Sequence, residues 1–356
     1  MRVLVCMSGG VDSTVAARLL IDQGHEVEGI TLWFWSYPGA PDYGGMTKCC
    51  SLDSAALAAA ELGIKQRTVD ASDLFYERVL RDYVARYSRG ETPNPCGNCN
   101  RHLRFGLALR YAQEHEFDCV ATGHHVRLSR DEAGPVHLLR GLDRNKDQTY
   151  FLYGLRQEDL AHLLFPVGEL TKDEVFAIAR RNGLHAASLP ESQDLCFAVD
   201  GRTDFLFPQG VIRPGPILDT DDNRLGTHNG LVHYTIGQRR GLGISSATPL
   251  YVIRIDAEKN AIVVGQEKDL YSRGLIASDA NFTQGEPPAD GAEIQAKIRY
   301  RSSAVPVTFR GVENGRFAVD FDVPQRAVTP GQIVALYNGE ELLGGGVIDG
   351  EGKAVH

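Results

Sequence analysis

Sulfur is scarce in this chain: 356 residues carry seven cysteines, Cys6, Cys49, Cys50, Cys96, Cys99, Cys119 and Cys196. So few cysteines in a chain of this length exclude a disulfide-built scaffold. They leave apolar filler, metal ligation or thiol chemistry, and Cys6 and Cys119 read as filler because they lie in apolar, strand-like runs. No apolar stretch approaches the roughly 20 residues needed to cross a bilayer. The opening "MRVLVCMSGG" is too short in its apolar part for a signal peptide and runs straight into a glycine turn. A cytoplasmic enzyme without membrane contact is the expectation. Repeats and low-complexity tracts are absent. So is net positive charge: the formal charge is −9, which argues against nucleic acid unless basic residues gather locally. They do gather, at Arg101/Arg104, Arg140/Arg144/Lys146, Arg239/Arg240 and Lys297/Arg299/Arg301.

What is present has a clear order. Residues 2–7 read as a buried strand, 13–23 as a helix and 27–32 as a second strand. A helix over 52–62, a strand over 65–69 and a helix over 72–87 follow. After a proline- and cysteine-containing loop, the pattern predicts a helix over 101–114 and a strand over 119–122. Strands alternating with helices indicate a parallel sheet covered on both faces. Ligands bind such sheets at the carboxyl ends of the strands. Past Phe205 the texture changes to proline, glycine and aspartate, and from about Leu275 short alternating runs are spaced like the strands of a small barrel. The expected architecture is an α/β domain with a parallel sheet over 1–205, a small central domain over 206–272 and a C-terminal β-barrel over 273–356.

The strongest local signal is "MSGGVDSTVAARLL". A buried strand ends at Met7, Ser8-Gly9-Gly10 turn sharply, and Asp12-Ser13 open a helix. Backbone amides of such a turn, together with the positive helix end, suit a phosphate or pyrophosphate. Asp12 would repel bare phosphate, so a role through Mg²⁺ is expected. The loop is neither GxxxxGK[ST] nor GxGxxG. SGGxDS after a buried strand resembles the PP-loop of N-type ATP pyrophosphatases, which cleave ATP between its α- and β-phosphates and adenylate an oxygen on their substrate.

Six further stretches narrow the resemblance: "GETPNPCGNCNRHLRFG", "ATGHHVRL", "LLRGLDRNKDQTYFLY", "LFPVGELTKDEV", "SQDLCF" and "HYTIGQRRGLGI". In this order they resemble the tRNA-specific 2-thiouridylase family, over essentially the whole chain. The resemblance implies that Cys6, Met7, Ser8, Gly9, Gly10, Val11, Asp12 and Ser13 bind ATP, with Leu32 and Gly123 at its adenine and ribose end. It implies that Cys99 is the catalytic cysteine and Cys196 the persulfide carrier. Asn94, Pro95 and Cys96 would meet the target base. His124, Lys146, Asp147, Gln148, Arg299, Tyr300 and Gln332 would touch tRNA. The implied partners are tRNAs for Lys, Glu and Gln and a cysteine desulfurase or sulfur relay protein.

The chemistry asks for such residues independently. Oxide is a poor leaving group, and adenylation turns a uridine carbonyl oxygen into AMP, a good one. Sulfur must then arrive as a nucleophile. A thiol near a helix start, as Cys99 would be before a helix at 101, is activated, and thiol–disulfide exchange can release a carried sulfur. A Cys99–Cys196 disulfide would remain. The sequence departs from the family at Cys96, where much of the family has aspartate. The resulting CxxC gives three thiols, Cys96, Cys99 and Cys196, that could ligate a 4Fe–4S cluster with one iron open. A zinc site would need two more ligands, from Cys49-Cys50 or a histidine. Cys49 and Cys50 read mainly as surface or helix-cap thiols, and His125 as either a phosphate contact or a core histidine. Two alternatives stand beside thiolation: a PP-loop enzyme with a nitrogen nucleophile, which needs no reactive thiols, and a non-catalytic, nucleotide-gated RNA-binding protein.

Overall fold

Val3, Leu4 and Val5 are completely buried in the strand Arg2–Cys6, as expected for a strand covered on both faces. The computed structural model describes residues 1–34, 46–47, 50–132, 134–191, 195–199 and 201–352. The strand is the centre of a five-stranded sheet whose order is Lys65–Asp70, Glu26–Trp33, Arg2–Cys6, Cys119–Ala121, Leu163–Leu164, all parallel. Side chains alternate across it. Val3 and Val5 pack with Ala17 and Leu20 of the helix Val11–Asp22 and with Ala55 and Ala58 of the helix Leu52–Leu62. Leu4 faces the opposite layer, with Phe75, Val79, Leu103 and Phe105. Successive strands are added first on one side of Arg2–Cys6 and then on the other. That switch opens a crevice at its carboxyl end, the usual ligand position in such sheets.

Two helices differ from the sequence-based expectation. The helix expected over 72–87 is present over 72–88, with a π-helical turn at Tyr76–Leu80. The segment expected as a loop up to Arg101 is already helical from Pro95, and helix runs on to Glu114 through a π-helical stretch, Cys99–Phe105. Asn94 is the N-cap, its side-chain oxygen accepting from Cys96 N at 3.2 Å. Pro95 fills the first helical position, where a missing N–H costs nothing. Cys99 therefore lies inside the helix and not ahead of it, which corrects the expectation of a thiol placed before a helix start at 101.

Four strands, Gly215–Leu218, Arg224–His228, Tyr251–Asp256 and Ala261–Gly265, form a separate small sheet. It encloses its own core of Ile217, Val252, Ile262 and Val264. The last six strands close on themselves: Tyr271–Phe282 pairs with both Arg316–Arg326 and Glu341–Glu351. Leu275, Val307, Phe309, Phe317, Val319 and Leu336 fill this barrel. The hairpin Val126–Arg130/Val136–Arg140 extends the barrel sheet through the pairing of Leu139 with Glu341. The largest core also crosses between the two parts, packing Ile333, Ala335, Tyr337 and Leu342 of the barrel with Val126, Leu138 and Tyr150. Among the described residues no helix is long and apolar enough to cross a membrane.

Candidate active site

The crevice opens into one cavity of about 1990 Å³. Small-molecule pockets are typically about 300–1,000 Å³, so this one has room for more than a nucleotide. One end is the turn Cys6–Ser13. Gly9 has φ +78°, and a Cβ there would fall 2.5 Å from Ser54 Cβ and 2.7 Å from Ala55 N, so only glycine fits. Gly10 is the N-cap of the following helix. The Ser8 and Ser13 hydroxyls are 3.1 Å apart, and Ser13 Oγ donates to Gly10 O at 3.1 Å. Gly123 lies against the same helix start: a Cβ on it would meet Ser13 N at 2.5 Å. Leu32, at the end of its strand, also lines the cavity. The residues expected to bind ATP thus meet in one place.

Asp12 is held in a charged chain. His125 Nε2 is 3.1 Å from Asp12 Oδ1, and Lys172 Nζ reaches both carboxylate oxygens, at 2.6 and 2.8 Å. Lys172 Nζ also lies 2.9 Å from Glu191 Oε1, and Lys146 Nζ donates to Glu191 Oε2 at 2.7 Å. Burial pushes the Asp12 carboxyl up, but the His125 hydrogen bond and the Lys172 ammonium outweigh it and hold it below the usual carboxylate range. Glu191 is likewise held down, by Lys146 and Lys172 against its own desolvation. The second nitrogen of His125, Nδ1, is buried without a hydrogen-bond partner.

Of the thiols, Cys96 lines the cavity, while Cys99 is 9% exposed and packs in the largest core. Cys196 packs against that same core beside Phe197, whose ring meets Tyr83 at 5.0 Å and Phe75 at 6.0 Å. The implied Cys99–Cys196 disulfide is not formed in this structure. Nor do Cys96, Cys99 and Cys196 gather as cluster ligands: among the described residues no group of three His, Cys, Asp or Glu could hold a metal. The reason is placement, since Cys96 faces the cavity and Cys99 turns into the core. Among the described residues, Cys96, Cys99 and Cys196 are not arranged to hold a 4Fe–4S cluster, and no ligand set for a zinc ion is found. Cys49, and the side chain of Cys50, lie outside the described residues, as do Ser192, Gln193 and Asp194 of "SQDLCF". Cys6 ends its strand half-buried at the edge of the cavity, its thiol pushed by desolvation up to about 11 against the opposing charge of Arg104.

Part of the wall comes from the barrel. Lys297, Tyr300, Arg301 and Gln332 line the same cavity as the phosphate loop. Lys297 is almost wholly buried, with Nζ 5.4 Å from the Tyr300 ring centroid and 5.8 Å from that of Tyr150. Desolvation, reinforced by Arg140 and opposed by Asp147, pushes its pKa down. Asn94 and Pro95 stand beside Cys96 on this wall. Gln332 Nε2 donates to Thr92 O at 2.6 Å, so the barrel grips the strand of chain leading to Cys96.

The other residues expected at the RNA divide by environment. His124 is buried, with Nδ1 2.8 Å from the Thr122 hydroxyl and one edge on the cavity. Asp147 is buried and accepts from Gly141 N, Thr149 N and Thr149 Oγ1, which fixes a turn. Gln148 Oε1 accepts from His125 N at 2.9 Å. Arg299 donates to the carbonyls of Arg326 and Ala327 and is absent from the cavity wall.

Sequence reasoning did not single out Lys172 or Glu191. Lys172 opens the helix Lys172–Arg181 after the capping box Thr171–Glu174. Its signal was Asp12 itself, because a carboxylate beside a phosphate loop requires a nearby cation.

Family models match the chain in three consecutive parts. Residues 1–200 match a tRNA methyl transferase HUP domain, 203–266 a tRNA methyl transferase PRC-barrel domain and 272–348 an aminomethyltransferase beta-barrel domain. The chain is 46% identical over 354 residues to tRNA-specific 2-thiouridylase MnmA of Moorella thermoacetica, covering 97% of this chain and 99% of the relative. It is 44% identical over 353 residues to that of Halothermothrix orenii, covering 98% of each. Against that of Acetivibrio thermocellus it is 42% identical over 359 residues, covering 98% and 99%. With a phosphate loop, a thiol-bearing helix and a barrel wall around one cavity, and with likeness over the full length, the chain belongs to the tRNA-specific 2-thiouridylase family.

Proposed function

We propose that this chain thiolates the wobble uridine of tRNAs for Lys, Glu and Gln, using ATP to activate the 2-carbonyl oxygen and a persulfide to supply sulfur. It is an enzyme, a tRNA sulfurtransferase. The observation that supports this most is the meeting, in one cavity, of the turn Cys6–Ser13 with Asn94, Pro95 and Cys96 and with Lys297, Tyr300 and Gln332 of the barrel. ATP at the turn and an extruded base beside Cys96 and the barrel residues share that space, in keeping with the need of base-modifying enzymes to take a base out of its stack.

The amides and hydroxyls of Ser8–Ser13 hold the phosphates at the start of the helix. Lys172, between Asp12 and Glu191, is placed to neutralise charge on the departing pyrophosphate. Asp12 is the one carboxylate on the loop and fits a Mg²⁺ ion, which takes one or two carboxylates together with phosphate oxygens; when bound it would offset phosphate charge. The uridine oxygen bonds to the α-phosphorus and pyrophosphate leaves. The outer sulfur of a Cys196 persulfide then adds to the uridine carbon, and AMP leaves with the oxygen. Cys99 attacks the inner sulfur, so the persulfide is reduced as Cys99 and Cys196 are oxidised to a disulfide, and an external thiol restores both. The donor that loads Cys196 is a cysteine desulfurase, directly or through relay proteins.

Thiolation by Cys99→Ala and Cys196→Ala variants tests the reading. Each should release pyrophosphate with tRNA and ATP but form no 2-thiouridine. Full 2-thiouridine from Cys99→Ala would overturn the release of sulfur by Cys99, and full product from Cys196→Ala would overturn the persulfide route.

A further inference from the structure

The barrel's first strand, Tyr271–Phe282, shifts register at several places, and one of them faces the α/β part. Its register against Glu341–Glu351 shifts between Ser278 and Asn281, and Asp279 within the shift has φ +52°. A non-glycine residue in that region is strained, and bulges of this kind re-aim side chains. Here the bulge aims two of them across the boundary with the α/β part. Asn281 is buried and donates to Tyr153 O at 2.7 Å and to Leu155 O at 2.9 Å. Asp279 accepts from Arg101 Nη1 with both carboxylate oxygens, at 3.0 and 3.1 Å.

Arg101 is two residues after Cys99, inside the π-helical stretch Cys99–Phe105. Such stretches are unusual and occur often at functional sites. The stem of Arg101 is confined too, because a Cβ on Gly154 would sit 2.8 Å from its Cδ. One turn earlier, Gly97 is pressed against the barrel: a Cβ there would meet Ile333 Cδ1 at 2.9 Å. The helix bearing Cys99 is thus held from the barrel at two points, one by close packing and one by a charge pair.

We propose that Asp279 is a positioning residue for Cys99. Its pair with Arg101 fixes the π-helical stretch and so sets how deeply the thiol is withdrawn from the cavity. The barrel then acts on sulfur transfer as well as on RNA docking. This inference rests on the reading of Cys99 as a transfer thiol, and the test keeps the two apart.

The pair is half-exposed, so its loss should shift the helix position by about two- to five-fold in population. The test compares the full chain with Asp279→Gly and Asp279→Asn. Glycine removes the pair and relieves the left-handed backbone. Asparagine tolerates that backbone and keeps an acceptor oxygen. Alkylation of each cysteine is followed by peptide mass spectrometry, with Cys119 on the parallel sheet as internal reference. Asp279→Gly should raise the Cys99 rate about two- to five-fold relative to Cys119 and lower kcat for thiolation by a similar factor. KM for ATP and tRNA should stay unchanged, and Asp279→Asn should restore most of both effects. A Cys99 rate unchanged in Asp279→Gly overturns the proposal. So does a rise shared equally by Cys119 together with a lower melting temperature, which would mean a merely structural role. Alkylation reports the contact whether or not Cys99 takes part in chemistry, whereas the Cys99→Ala thiolation assay reports the chemistry alone.

Discussion

Replacing Lys172 with methionine keeps the aliphatic stem and removes the cation that bridges Asp12 and Glu191. The Lys172 side chain is only 11% exposed, and those of Asp12 and Glu191 are 30% and 26% exposed. The pairs therefore lie between surface bridges, worth about 0–1 kcal/mol, and buried ones whose breakage costs about 3–5 kcal/mol. His125 still supports Asp12 and Lys146 still supports Glu191, which lowers the expected loss to about 1–2 kcal/mol. For a domain of this size that is roughly 2–8 °C in melting temperature, read by calorimetry without tRNA. The pH dependence identifies the cause. Both carboxyls are held below their ordinary range in the folded protein. Their contribution is complete above the unfolded values of about 4 and is lost as pH falls through the folded ones. Lysine stays protonated throughout. The gap between native protein and variant should be full at about pH 7 and should narrow by about pH 3.5. A gap of equal size at both, or none at about pH 7, would refute the charge chain as its source.

Other expectations follow from single observations. Gly9→Ala must displace Ser54 and the backbone at Ala55, so ATP binding measured by calorimetry should be lost or weakened by at least about tenfold. Asp12→Asn should abolish tRNA-dependent pyrophosphate release while leaving tRNA binding close to native. The Cys6 thiol, raised to about 11 by desolvation, should resist alkylation at about pH 8, and ready modification there would contradict that shift. Affinity for tRNA should fall steeply with salt as phosphate contacts release counterions, and a flat response would remove the proposed role of Lys146, Lys297 and Arg301.

Much of the architecture was legible because it rests on local signals. The run VLVC alternates between two helical layers, and the SGGxDS turn needs Gly9 whatever surrounds it. The start of the cysteine helix was misplaced because prolines near a cysteine pair read as loop, although Asn94-Pro95 is equally a cap followed by a first helical residue. What sequence could not supply is contact across distance. Lys172 meets a carboxylate 160 residues away, and Arg101 meets Asp279 across 178. Neither partner carries a periodicity that points to the other. The joining of the hairpin Val126–Arg140 to the barrel rests on the pairing of Leu139 with Glu341, which no local pattern encodes. The convergence of three thiols on a cluster is not found among the described residues: Cys96 lines the cavity, Cys99 is buried in the core and Cys196 packs against that core from far along the chain.

The activation step can be tested by the fate of one atom. Pure protein is given tRNA carrying a heavy oxygen isotope at the wobble uridine 2-carbonyl, with ATP, a cysteine desulfurase, cysteine and a thiol reductant, and the products are separated by mass spectrometry. The account predicts 2-thiouridine in the RNA and the heavy oxygen in AMP, one for one. Thiolated RNA formed while the label appears in water or pyrophosphate would contradict it.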